Sequence, residues 1–175
     1  NPLVFTEDGR FIAIDGYGEF LPVQNDLSKK RGVNAEHLDM FFRPQSVAVI
    51  GVSTNLSKPN MAREIAKLLH KAGQEDLYLV NPRGGTMLIN DVEYPLYEDF
   101  QAIPKIIDLV VYVAPIASTA EFVKDLSGRA KAVIVISGLP ADLEYTRFVE
   151  EMDQVRPKEL RLIGPNCMGV FFAPG

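Results

Sequence analysis

The chain has 175 residues, 47% of them hydrophobic, which is enough for one full domain and too many for a disordered chain. Its net charge of −5 argues against a nucleic-acid binder with a basic face, but it allows a small anionic ligand in a local positive pocket. The single cysteine, Cys167, excludes an internal disulfide, and with only His37 and His70 beside it the sequence predicts no Cys/His metal cluster.

The compartment and the ends of the chain can also be judged from the sequence. The longest apolar runs, such as 109–117, are too short to cross a bilayer, and no signal peptide opens the chain. A lone cysteine fits a reducing compartment, so we expect a cytoplasmic protein. The chain begins at Asn1 without an initiator methionine, so we expect a fragment cut at both ends.

Two short regions precede the main domain. Residues 1–24 are predicted to form a hairpin, because the β-prone run 11–14 follows a turn signal at 7–10. Residues 25–39 are polar and charged, which is typical of a linker.

From Met40 onward, strand and helix patterns alternate. Short apolar runs that end in turn residues predict buried parallel strands, and apolar residues at helical spacing predict the helices between them. Ser118 and Glu121 are expected to form a capping box. We therefore expect a Rossmann-like α/β domain over residues 40–175, a parallel sheet with helices on both faces. The predicted strands are 46–51, 77–80, 108–114, 132–136 and 160–163, and the predicted helices are 61–72, 118–126 and 142–155.

Ligands bind at the carboxyl ends of the strands in an open α/β sheet. After the first strand, Gly51 lets the chain turn sharply, and Ser53 and Thr54 offer polar groups. The next helix adds free N–H groups and a positive dipole end, which suit a phosphate. The glycine pattern of a dinucleotide site is missing, so this loop alone does not identify the ligand.

The loop after the second strand discriminates between nucleotides. An NAD site usually has Asp or Glu here, which binds the ribose hydroxyls. This chain has Asn81 and then Arg83, and a guanidinium binds a ribose phosphate that a carboxylate would repel. The loop therefore favours CoA or NADP. The alternative is an arginine that is only exposed to solvent.

Neither histidine has an obvious catalytic partner in the sequence. His37 and His70 are predicted to be structural or exposed, and Cys167 is predicted to be a buried, inert thiol. No residue of the chain is therefore predicted to be catalytic.

Several segments resemble one family in order and spacing. The run from Phe41 to Ser53 looks like the opening of the CoA-binding domain of nucleoside-diphosphate-forming acyl-CoA synthetases, the relatives of succinyl-CoA synthetase. The later segments 80–85, 108–115, 132–138 and 162–169 agree with it, so the resemblance covers about residues 40–175.

The resemblance implies a CoA site made from the strand ends. Phosphate oxygens would be held at the first loop, and Arg83 would meet a CoA phosphate. Many relatives have a glycine around 57–60, where this chain has Lys58 and Pro59, which puts the phosphate contacts of this loop in question. The implied phosphate residues of the first loop are Gly51, Ser53 and Thr54. The implied adenine or pantetheine path is Val113, Ala114 and Pro115, the pantetheine arm is bounded by Ile136, Ser137 and Gly138, and the thiol end is shaped by Asn166.

The first segment resembles the end of an ATP-grasp domain. In that family, residues at the positions of Asn1 and Asp15 ligate the magnesium that bridges nucleotide phosphates, and such oxygen ligands suit Mg²⁺. The resemblance implies a fused protein that binds Mg-ATP in a module before the CoA module. The alternative is an ordinary hairpin in which Asp15 caps a turn.

The family mechanism passes a phosphoryl group through a histidine to an acyl phosphate, which CoA attacks. That histidine belongs to a later domain, so this chain is expected to bind CoA and to be inactive without the missing ATP-grasp and ligase domains. No nucleic-acid or membrane partner is expected. Two other functions stay open, an NADP-dependent oxidoreductase domain and a non-catalytic nucleotide-sensing module that regulates a partner.

Overall fold

The computed structural model describes residues 3–5, 11–13, 36–140 and 144–170. The chain divides into two compact units, Asn1–Val33 and Asn34–Gly175. In the first unit, β1 (Leu3–Phe5) pairs antiparallel with β2 (Phe11–Ala13), which confirms the expected hairpin. The candidate magnesium ligands, Asn1 and Asp15, lie outside the described residues.

The second unit is built on a seven-stranded sheet. Its strands are β3 (Ser46–Ile50), β4 (Asp76–Val80), β5 (Thr86–Ile89), β6 (Val92–Tyr97), β7 (Ile107–Tyr112), β8 (Ala130–Val135) and β9 (Arg161–Ile163). They lie in the order β5-β6-β4-β3-β7-β8-β9, and only the β5–β6 pair is antiparallel. All five residues of the central strand β3 are buried, as its apolar sequence predicts.

Helices cover both faces of this sheet, which confirms the Rossmann-like α/β architecture. The helices are α1 (Glu36–Phe42), α2 (Met61–Lys71), α3 (Thr119–Lys124) and α4 (Tyr145–Val155). On one face, Phe41 of α1 and Ala62 and Ala66 of α2 pack into the core. On the other face, Val123 of α3 and Phe148 of α4 do so. None of the helices in the described part of the chain has the length and apolarity needed to cross a membrane.

A helix and a hairpin of this unit were not predicted. Helix α1 begins at Glu36, within the stretch expected to be a linker. The hairpin of β5 and β6 turns through Asn90 and Asp91, which both have positive φ angles, 49° and 67°. Pro95 hides this hairpin in the sequence, because proline is normally kept out of strands. The structure accommodates Pro95 because β6 pairs with β4 only at the next two residues, Leu96 and Tyr97.

The predicted capping box at Ser118 is wrong. A 3₁₀ turn, Ile116–Ser118, runs directly into α3, so the backbone of Ser118 has a turn conformation and lacks the extended conformation of an N-cap. The Ser118 hydroxyl instead donates to the Pro115 carbonyl at 2.9 Å and lies 2.7 Å from the Tyr112 hydroxyl.

Candidate functional site

The ends of the central strands lie side by side, because the sheet hydrogen bonding continues into the loops. The N–H of Gly51 donates to Val80, the N–H of Val113 to Ile50, and the N–H of Ile136 to Tyr112, at 3.0–3.3 Å. The loops after β3, β4, β7 and β8 therefore meet at one edge of the sheet. This is the edge at which an open α/β sheet binds its ligands.

Gly51 lies where the first loop approaches the loop after β7. Its φ angle is +95°, and a Cβ atom built on it would lie 3.0 Å from the Ala114 nitrogen and 3.1 Å from the Val113 carbonyl carbon. A side chain at this position would therefore be strained in its backbone and crowded by its neighbour. The contact brings three of the predicted site residues together.

Asn60 fixes the first loop on the start of α2. Its Oδ1 accepts from the N–H groups of Ser53 and Arg63 at 3.1 and 2.9 Å, and its Nδ2 donates to the Gly51 carbonyl at 3.1 Å. The hydroxyl oxygen of Ser53 also accepts from the Asn55 N–H. Ser53 is a predicted phosphate-binding residue. Its N–H is already used within the loop, whereas its hydroxyl proton has no acceptor among the described residues.

Arg63 is a residue of this loop that the sequence argument missed. It is only 7% exposed, and its guanidinium donates to the carbonyls of Ser53, Asn55 and Lys58. Among the described residues, its closest carboxylate oxygen belongs to the exposed Glu64, 3.7 Å from Nε. The sequence pattern gives no signal for it, because the apolar residues Met61, Ile65 and Leu68 lie on the opposite side of the helix from Arg63. Only the structure shows that its guanidinium is buried against these carbonyls.

Asn81 connects the first loop to the second. Its Nδ2 donates to the Val52 carbonyl, and its Oδ1 accepts from the Arg83 N–H at 2.8 Å. The Arg83 side chain is exposed and has no hydrogen bond or ion pair within the described residues. Its guanidinium is therefore available to an anion.

A carboxylate that was not predicted stands beside the same loop. Glu98 follows β6 directly, and its Oε1 would lie 2.9 Å from a Cβ built on Gly84, the residue after Arg83. Glu98 forms no ion pair with Arg83 in the structure. A ligand at this loop thus meets a free cation with a carboxylate nearby, and the cation is the group suited to a phosphate.

The other end of the site is formed by the loops after β8 and β9. The Ser137 hydroxyl donates to the Ala114 carbonyl, and the Asn166 N–H donates to the Ser137 carbonyl at 3.0 Å. The Asn166 Oδ1 would lie 3.5 Å from a Cβ built on Gly138. A cavity of about 330 Å³ opens here, lined by Gly138, Leu139, Tyr145, Pro165 and Asn166.

The site is long. Arg83 follows β4 and Asn166 follows β9, and these strands stand four inter-strand steps apart in the sheet. At ~4.8 Å per step, the two ends are separated by roughly 19 Å. A ligand that uses both ends must therefore be elongated.

His70 and Cys167, for which no catalytic role was predicted, are engaged in local contacts. His70 is half-buried, and its Nδ1 lies 2.8 Å from the Tyr94 hydroxyl, with the two rings edge to face. This contact agrees with the predicted structural role. Cys167 is half-buried, whereas full burial was expected, and its Sγ accepts from the Gly169 N–H at 3.3 Å. For His37, which lies in α1, the structure describes the backbone and not the side chain.

Several known proteins that are similar to this chain are CoA ligases. The chain is 32% identical over 142 residues to the alpha subunit of acetate–CoA ligase [ADP-forming] I of Pyrococcus furiosus, and the aligned region covers 78% of this chain and 30% of the relative. It is 31% identical over 138 residues to acetate–CoA ligase [ADP-forming] II of Archaeoglobus fulgidus, covering 75% and 19%. The chain thus spans less than a third of the length of these relatives.

Solved structures agree with the fold. The crystal structure of PH0766 from Pyrococcus horikoshii OT3 superposes with a TM-score of 0.59 at 27% identity, covering 75% of this chain and 30% of that one. The apo form of an acetyl-coenzyme A synthetase of Ca. Korarchaeum cryptofilum gives 0.60 at 21% identity, covering 75% and 28%, which speaks for the fold alone.

The match to a domain family covers most of the chain. Residues 45–173 match the family described as CoA binding domain. These residues contain all seven strands of the sheet and every loop of the candidate site. The chain therefore belongs to the CoA binding domain family, as the resemblance of its strand-end segments predicts.

Proposed function

We propose that this chain binds CoA along the carboxyl edge of its sheet and forms the CoA-binding portion of an acid–CoA ligase that releases a nucleoside diphosphate. The observation that carries the proposal is the pair of residues Asn81 and Arg83 in the loop after β4. Asn81 stands where a ribose-binding carboxylate would be, and the neighbouring Arg83 guanidinium is free to bind a phosphate.

The proposed path runs along the edge from Arg83 to Asn166. Arg83 would bind the ribose phosphate, and the first loop would bind the pyrophosphate. The pantetheine arm of CoA would follow the loops after β7 and β8, and its thiol would lie at the cavity beside Asn166. The first-loop residues are Gly51, Ser53 and Thr54, and the residues along the path are Val113, Ala114, Pro115, Ile136, Ser137 and Gly138.

In the intact protein, we propose the reaction of an acid, CoA and ATP to acyl-CoA, ADP and phosphate, passing through a phosphohistidine. That histidine would come from another domain, because neither His37 nor His70 matches its position in the family that the chain resembles. The Mg-ATP would be bound by an ATP-grasp module that includes residues 1–24, with Asn1 and Asp15 as metal ligands. We propose that the protein acts in the cytoplasm and that this chain alone binds CoA without catalysing the reaction.

Two other functions compete with this proposal. An NADP-dependent oxidoreductase would also use Arg83, which suits a 2′-phosphate as well as a 3′-phosphate. A regulatory module that senses a nucleotide would bind CoA without serving a ligase. The similarity to ADP-forming acetate–CoA ligases favours the ligase.

Calorimetric titration of the purified chain with CoA, dephospho-CoA and NADP tests the proposal. We expect CoA to bind and dephospho-CoA to bind more weakly, because it lacks the 3′-phosphate. Binding of NADP without a response to CoA would overturn the proposal in favour of the oxidoreductase. To separate the ligase from the regulator, the full-length protein is assayed for acid-dependent ADP release with CoA, where CoA binding without this activity supports the regulator.

A further inference from the structure

Arg63 lies beneath the loop that follows β3. Its Nη1 donates to the carbonyls of Ser53 and Asn55 at 3.3 and 3.1 Å, and its Nη2 donates to the carbonyl of Lys58 at 2.9 Å. The residue is 93% buried, since only 7% of it is exposed. Three carbonyls of one short loop therefore converge on one buried cation.

The direction of these carbonyls decides where the neighbouring N–H groups point. In a trans peptide, the C=O of one residue and the N–H of the next point in opposite directions. The one cis bond in the described part of the chain is Gly164–Pro165, so the loop is trans throughout. The N–H groups of Thr54 and Leu56 therefore point away from Arg63. The peptide after Lys58 offers no such group, because Pro59 has no N–H.

The two outward N–H groups are also free. Neither Thr54 nor Leu56 has a hydrogen bond within the described residues, and both are exposed. By contrast, the N–H groups of Ser53 and Asn55 are bound inside the loop by Asn60 Oδ1 and Ser53 Oγ. The loop thus alternates between N–H groups that stabilise it and N–H groups that it presents to solvent. Backbone N–H groups presented in this way form anion sites.

We propose that Arg63 is a positioning residue for CoA binding, which holds the N–H groups of Thr54 and Leu56 outward as donors to the pyrophosphate. This inference rests on the proposed function and names the donors of its first loop. Arg63 does not touch the ligand and acts through the three carbonyls it binds. A bound phosphate would also bring a counter-charge to a guanidinium that, in the described part of the chain, has only the exposed Glu64 as a nearby carboxylate.

Lysine cannot fully replace Arg63 in this role. A guanidinium presents several N–H donors in a fixed planar fork, whereas an ammonium is a point charge on a flexible stem. Arg63→Lys keeps the charge but cannot hold all three carbonyls in place, and Arg63→Met removes both the charge and the donors. The two variants therefore separate charge from geometry.

The test compares CoA and dephospho-CoA by calorimetry on the full chain and on both variants, at a temperature where each is shown to be folded by circular dichroism. Both ligands contain the pyrophosphate, so Arg63→Met is expected to weaken them by the same factor, about tenfold or more, with Arg63→Lys in between. Arg147→Met is the matched control, because Arg147 is exposed on α4 and has no hydrogen bond or ion pair within the described residues.

A second readout follows the two amides directly. In ¹H–¹⁵N spectra, the Thr54 and Leu56 resonances should shift when dephospho-CoA is added to the wild-type chain. The shifts at these two amides should shrink in Arg63→Lys at matched ligand saturation. A purely structural role would lower the melting temperature and leave both readouts unchanged.

The outcomes distinguish a failure of the proposed role of Arg63 from a failure of the proposed CoA-binding function. A wild-type chain that binds neither ligand overturns the proposed function and this inference together. A wild-type chain that binds CoA while folded Arg63→Met binds it within twofold overturns only the role of Arg63. If Arg63→Met does not fold, folded Arg63→Lys decides, and equal weakening of both ligands supports the inference while wild-type affinity overturns it.

Discussion

The side-chain amide of Asn81 donates to the backbone carbonyl of Val52, so the loop that carries Arg83 is joined to the loop that follows β3. The same side chain accepts from the Arg83 N–H through its Oδ1. One uncharged amide therefore sets the relative position of the two loops proposed to bind the phosphates of CoA.

Asn81→Asp should disrupt this junction. A carboxylate oxygen would face the Val52 carbonyl in place of a donor, and a negative charge would stand near the proposed phosphates. We expect CoA affinity to fall about tenfold or more in calorimetric titration. The matched control is Asn90→Asp, because Asn90 also donates to a backbone carbonyl, that of Lys67, but lies on the β5–β6 turn. Equal losses of CoA affinity in both variants would contradict a specific role for Asn81.

Arg83→Ala should reduce the affinity for CoA and leave that for dephospho-CoA nearly unchanged. The reason is that the guanidinium has no hydrogen bond or ion pair with any described residue and is proposed to bind the 3′-phosphate, which CoA carries and dephospho-CoA lacks. Losing one charge-assisted contact of this kind should cost about tenfold in the dissociation constant for CoA. Arg147→Ala serves as the control for the loss of a surface charge. A similar weakening of both ligands would show that Arg83 does not discriminate the 3′-phosphate.

Gly51→Ala should destabilise the fold by about 1–3 kcal/mol in urea unfolding, because a side chain here meets both a left-handed backbone and a close neighbour. Its Cβ would lie 3.0 Å from the Ala114 nitrogen. Gly73→Ala is the matched comparison, since Gly73 has a similar φ of +86° but no atom within 4 Å of its Cβ position. The difference between the two variants measures the contact with the loop after β7. No difference would mean that the loops relax apart at little cost.

Asp108 should make the domain sensitive to acid. Partial burial favours a higher pKa, but hydrogen bonds from Lys131 and from the N–H groups of Gln45 and Ser46 outweigh it, so the pKa of Asp108 lies below its ordinary value of 3.8. A carboxyl group whose pKa is lowered on folding contributes stability above its unfolded pKa, and that stability is lost as the pH falls through the folded pKa. The wild-type chain should therefore lose stability below about pH 4.

Asp108→Asn tests this assignment. Lys131 Nζ lies 2.6 Å from Asp108 Oδ1, and the two N–H groups lie 2.8 and 3.2 Å from Oδ2. We expect the variant to be less stable by about 1–3 kcal/mol at pH 7, because a neutral amide cannot accept from all three donors. The difference from the wild type should shrink as the pH falls below 4. A difference that stays constant between pH 7 and pH 3 would contradict the lowered pKa.

Much of the fold can be predicted from local sequence patterns. The five predicted strands match β3, β4, β7, β8 and β9 to within two residues at most ends, because a buried parallel strand needs a continuous apolar run between turn residues. The hairpin of β5 and β6 was not predicted, because Pro95 interrupts the sequence pattern of a strand. The Asn90–Asp91 pair was its signal, since both residue types tolerate the positive φ that a two-residue turn requires.

The sequence by itself predicted five of the seven strands of the sheet, the edge at which a ligand is proposed to bind and the proposed preference of the second loop for a phosphate. All three depend on residue type and spacing along the chain. Only the tertiary structure decided which N–H groups of the first loop are free, that Asn60 and Arg63 hold that loop, and that Asn81 joins it to the second. These facts depend on hydrogen bonds across turns and between loops that are distant in the chain. The bond from Asn81 to Val52, for example, joins residues 29 positions apart. Such bonds do not recur at a regular spacing, so no periodic pattern in the sequence indicates them.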